Sequence, residues 1–221
     1  MTIYHDAYLF NSGEFEKVIR KLTPNLEAND YTLINSIAID TFENVPQVQR
    51  LSDEYGAWDK EGILKMPIVP PYDQQTIAFW LMILLYGSFA NVKIHEFGLG
   101  EYKNVLKQIL QILGWDDKEQ NLLIKGKSFE EFASERLNTD EQYWKFVHPF
   151  SVAGWAGWIP ISSINHLLKM LQDDEVNLSK LVREETNKFD SETVLRAYER
   201  AKQMLVAAIN SGLDLCIIIS G

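Results

Sequence analysis

The chain has 221 residues, of which 46% are hydrophobic and 12% aromatic, enough to enclose a sizeable core. Lys and Arg number 21 against 31 Asp and Glu, a formal charge of -10 that repels phosphate-rich partners and argues against nucleic acid and anionic membrane surfaces. Cys216 is the only cysteine, so neither an internal disulfide nor a multi-cysteine zinc site can form, and a reducing, cytoplasmic setting fits best.

The length fits one globular domain over residues 1–221, although two small ones would also fit. Residues 2–10 alternate Ile3, His5, Ala7 and Leu9 against Tyr4, Asp6, Tyr8 and Phe10, the period of a strand. They lack the basic start and long apolar stretch of a secretory signal. Asp6 is expected on a strand face open to solvent. Ser12 offers an N-cap to a helix carrying Phe15, Val18, Ile19 and Leu22, which is expected to stop before Pro24. Further helices are expected after Asp30 and after Asn44. Gly62, Pro67, Pro70 and Pro71 mark an extended connection, within which Ile63–Val69 would suit a strand at a sheet edge.

The most apolar run, Ile77–Tyr86, makes about 15 Å of helix against a hydrocarbon core of roughly 30 Å. It is therefore expected to be a buried central helix, capped by Asp73, rather than a membrane span. The stretch Phe97–Glu101 (FGLGE) lacks the third glycine of a phosphate loop and reads as a turn. His95 and Glu96 begin like a zinc-binding helix, but Leu99 stands where the second histidine must fall. Glu101–Leu113 is amphipathic and ends at Gly114. Ser128 with Glu131, and Thr139 with Gln142, have capping-box spacing.

Residues 143–160 (YWKFVHPFSVAGWAGWIP) break the helical pattern with Pro149, Gly154, Gly157 and Pro160, so irregular structure is expected there. The segment gathers Trp144, Trp155 and Trp158. Helices resume at Ile164–Leu171 and over 190–211, closed by Gly212. Leu213–Ser220 (LDLCIIIS) has the β-branched run of a buried strand. Short strands at both termini point to an α+β fold, mainly helical, with a small sheet formed by pairing the N- and C-terminal strands.

A first strand running into a short helix, a Gly/Trp-rich stretch before a helix over Trp155–Leu171, and the closing AAINSGLDLCIIIS together resemble a group of uncharacterised bacterial proteins. The resemblance implies the fold of the termini and transfers no activity, cofactor or functional residue.

No nucleotide-binding loop, nucleophile elbow or metalloprotease helix is present, and neither a metal nor a cofactor is expected. The four histidines have no ligand spacing and suit surface or capping positions. Cys216, set among Leu215, Ile217, Ile218 and Ile219, is expected to be inert packing. Indoles on a Gly-rich loop line a pocket, anchor a protein interface, or plug a core. Trp144, His148, Trp155, Trp158 and His166 are accordingly the candidate binding residues. Two functions are carried: a cytoplasmic protein-binding module of neutraliser or adaptor type, and a small-molecule or hydrolytic site using His148 or His166 beside Trp155 and Trp158.

Overall fold

The computed structural model describes residues 4–44, 74–98, 105–147, 155–178 and 191–220. Five strands, β1 (Tyr4–Phe10), β2 (Val92–Gly98), β3 (Lys127–Ser128), β4 (Trp155–Ile159) and β5 (Asp214–Ser220), form one sheet in the order β2-β1-β5-β4-β3, with every pair antiparallel. The terminal strands pair directly, from Tyr4 opposite Ser220 to Phe10 opposite Asp214, as the sequence pattern predicts. The fold is α+β.

The described helices include α1 (Ser12–Glu27), α2 (Thr32–Asn44), α3 (Gln74–Leu84), α4 (Lys107–Ile112), α5 (Asp117–Lys125), α6 (Phe129–Phe132), α7 (Ile161–Asp173) and α8 (Ser191–Ser211). They divide between the two faces of the sheet. On one face α1, α2, α3 and α6 pack over Phe10, Trp158, Cys216 and Ile218. On the other, α4, α5, α7 and α8 pack over Ala7, Ile159, Leu215, Ile217 and Ile219. Because β5 is covered on both sides, Leu215–Ile219 are apolar whichever way they point, which is why the run lacks alternation. Cys216 is fully buried, and burial pushes its thiol up from the ordinary range, leaving it an inert packing group.

Several local expectations are corrected. The N-cap of α1 is Asn11, which accepts from Glu14 N, while the Ser12 hydroxyl turns away to Asp214. The helix also runs through Pro24 to Glu27, since the buried stripe of Phe15, Ile19, Leu22 and Leu26 continues past the proline and outweighs its missing donor. The Ser128–Glu131 capping box forms as predicted. The Thr139–Gln142 box does not, because Gln142 opens a 3-10 turn (Gln142–Phe146) whose cap position is Glu141. The apolar run occupies α3 and a following π-helical turn, Leu85–Phe89.

Two strands stand where turns or loops are expected. β2 hides its period because of a bulge: Ala7 pairs with His95 and Tyr8 with Lys93, leaving Ile94 as the extra residue. β4 occupies part of the stretch expected to be irregular. Its Gly157 serves close packing, since a Cβ there would lie 1.7 Å from the Lys125 carbonyl oxygen. The expected cap Asp73, the helix after Asn44 and the Ile63–Val69 strand lie outside the described residues. Among the described residues, no helix is long and apolar enough to cross a membrane.

Candidate functional site

The tryptophan-rich segment is divided by its own strand geometry. Trp155 and Trp158 are three residues apart on β4, and an odd spacing on a strand sends side chains to opposite faces. Trp158 is buried in the core under α6, edge-on to Phe132 at 5.0 Å between ring centroids, and its Nε1 donates to Asp214 Oδ2 at 2.8 Å. Trp144 lies buried in the same core, also against Phe132. Trp155 belongs to the other face, half-buried, with its Nε1 donating to the Lys125 carbonyl at 2.9 Å. His166 is exposed on α7 and meets Glu119 of α5 at 3.1 Å. His148 lies outside the described residues. The described members of the predicted set are therefore not brought to one site.

Asp214 explains much of this arrangement. Its buried carboxylate accepts from Ser12 Oγ at 2.5 Å, from Trp158 Nε1 at 2.8 Å and from the Ile161 backbone N–H at 2.7 Å. Pro160 occupies the cap position of α7 and offers no side-chain oxygen, so a residue 53 positions away supplies the acceptor that the helix start requires. One side chain thus ties the starts of α1 and α7 to β4 and β5.

The C-terminal end of α5 is tied in the reverse sense. His5 on β1 donates from Nε2 to the Ile124 carbonyl at 2.6 Å, and Trp155 on β4 donates to the next carbonyl, Lys125. Both residues pair with Ile219 from opposite sides and face the same core. Carbonyls at a helix end lack intrahelical donors. Two sheet side chains supply them here. Because a carbonyl can only accept, the His5 proton sits on Nε2.

The ionisable side chains of the sheet collect instead at β1 and β2. On the face of Tyr8, Asp6 stands opposite Glu96, and Lys93 reaches both carboxylates, at 3.0 Å and 2.6 Å. Asp6 is buried, contrary to the solvent-open face expected for it. Burial raises its pKa above the ordinary carboxylate value, and the hydrogen bond and charge of Lys93 oppose that rise. On the opposite face the rings of His5 and His95 meet at 6.1 Å with planes 71° apart. Burial lowers the pKa of each to about 4, and the charges of His5, Arg200 and Lys93 add to the effect at His95. At neutral pH both imidazoles are uncharged.

The four histidines were expected at surface or capping positions; His5 does close the end of α5 but is wholly buried, because its strand face is covered by helices, and His95 is half-buried. The meeting of these two was not legible, because β2 was not recognised as a strand. Among the described residues, no three His, Cys, Asp or Glu side chains are grouped so as to hold a metal ion. No family model, curated protein or solved structure matches the chain.

Proposed function

We propose that the chain is a cytoplasmic protein-binding module, of neutraliser or adaptor type, that receives a basic partner along the outer edge of β2. The observation that supports this is the place of β2, which is seven residues long and stands at one end of the sheet, its outer edge bonded to no described strand. Val92 opens that edge and is 53% exposed, apolar surface that an added strand would cover. An extended partner segment can bond to such an edge through its main chain and seat a side chain beside Val92.

The bulge at Ile94 and the Lys93 ion pairs blunt the start of the edge against indiscriminate pairing, while His95–Gly98 remain in regular register with β1. The charge of -10 attracts a basic partner at long range, so association weakens as salt is raised. The alternative, a hydrolytic site around Trp155, Trp158, His148 and His166, gains nothing from the described members, since Trp155 and Trp158 face opposite cores.

The test is affinity capture from native lysate with the wild-type chain and with Val92→Arg, which removes the apolar contact and repels a basic partner. The variant is expected to keep its unfolding midpoint and to retain the captured protein about tenfold less, some 1.4 kcal/mol. Equal retention by the two chains, or a partner whose binding ignores salt, contradicts the reading.

A further inference from the structure

We propose that His5 and His95 form an acid-sensitive latch under β2, so that a proton delivered to this pair releases the edge strand while the rest of the sheet stays folded. The inference concerns how β2 is held and does not depend on what β2 binds.

The geometry of the pair carries it. His5 is wholly enclosed, with its one proton committed to the Ile124 carbonyl at 2.6 Å, so a second proton would place an imidazolium within an apolar core. His95 lies toward the sheet edge, half-buried, with its ring against that of His5, and is the first of the two that solvent protons reach. Among the described residues, the charged groups around His95 include Arg200 from α8, and Lys93 and Glu96 from its own strand. Glu96 is already engaged by Lys93 on the other face. Around His5, α5 contributes the Ile124 carbonyl, and the neighbouring Asp6 projects to the opposite face, where Lys93 holds it. A charge on either imidazole thus raises the energy of the other.

Both rings are lowered in the folded chain to about 4 from an ordinary 6.5. A lowered histidine contributes stability that is full above its unfolded value and is lost as pH falls through 6.5 toward 4. Asp6, whose pKa is raised, works in the opposite sense, since the folded state takes up its proton more readily than the unfolded chain does. The loss therefore belongs to the histidine face. Of the long strands, β2 is held by one described neighbour, whereas β1 and β5 are held by two, so opening begins there.

The experiment is amide hydrogen exchange between pH 7 and 4, corrected for the intrinsic pH dependence of exchange, comparing residues 92–98 with α3. Protection over 92–98 should fall about tenfold or more between pH 6 and 4 while α3 keeps its own. His95→Gln, which holds a neutral polar group in place, should abolish the step. Simultaneous loss from β2 and α3, or a step that survives in His95→Gln, overturns the latch. Should that variant fail to fold, NMR titration of the two imidazoles in the wild-type chain decides. Titration below 6 that coincides with the loss of protection over 92–98 upholds the latch, and titration at or above 6, or protection lost at a different pH, overturns it.

Discussion

The two ends of the sheet are closed in different ways. At the β3 end, the paired backbone of the last strand is two residues long and its approaches are filled. Lys127 lies over the Trp158 ring and Lys125 over the Trp155 ring, each at 5.5 Å, and Lys127 also pairs with Glu135. The crossing at Gly157 admits no side chain. At the β2 end, the strand is seven residues long and bulged, and ionisable side chains sit on both of its faces. The β3 end is held by two indole donors, one to the Lys125 carbonyl and one to Asp214, and by a close backbone crossing that is intolerant of added volume. The β2 end is held by groups whose charge depends on the solvent, and its outer edge bonds to no described strand. Rigidity and responsiveness are thus assigned to opposite sides of one sheet.

If that division holds, substitutions on the β3 side should cost more stability than matching ones at the β2 end. The largest effect is expected from Asp214→Ala, which leaves the Trp158 indole, the Ser12 hydroxyl and the Ile161 amide without their acceptor. A loss of about 3–5 kcal/mol in urea denaturation is expected, with Asp214→Asn milder because it keeps an acceptor oxygen. A loss under about 1 kcal/mol would show that water replaces the carboxylate and that this corner is not sealed. Gly157→Ala should follow at about 2–3 kcal/mol, because its methyl must displace the Lys125 carbonyl, a backbone atom that cannot swing aside. A matching change at the β2 end, Val92→Ala, removes only half-exposed surface and should alter stability by less than about 0.5 kcal/mol.

The terminal strands were legible in the sequence because their signals are local: alternation in 2–10, and the apolar run Leu215–Ile219, which lacks alternation because both of its faces are buried. The helices with a clean apolar stripe, such as α8, were legible for the same reason. β2 was not, because its bulge breaks the period of two and its Gly98 resembles a turn. β4 was not, because glycine needed for close backbone approach has the same spelling as glycine needed for a loop. Pro24 misled in the other direction: Leu26 continues the stripe just beyond it, but that its burial offsets the proline's local cost follows from tertiary packing. The candidate site suffered most from this limit. Tryptophans mark a segment by composition, whereas the face each occupies follows from strand parity and from partners 30 and 56 residues distant.

The finest test of the comparison is Trp155→Phe. Trp155 is the one tryptophan of the segment that is neither fully buried nor outside a strand, and it serves either as a contact for a partner or as a donor closing α5. Phenylalanine keeps most of the ring and removes the N–H, so the Lys125 carbonyl loses the donor that α5 cannot provide. Lys125 also loses some attraction, since phenylalanine offers a weaker face to a cation than indole does. Together these should lower the stability by about 1–1.5 kcal/mol, read as a shift in urea midpoint with an unchanged slope. Retention of a partner per folded molecule should stay as in the wild type, because the proposed surface lies at the far end of the sheet, three strands away. An unchanged midpoint together with weakened capture would return the indole to the binding surface and remove the reason for placing that surface at β2.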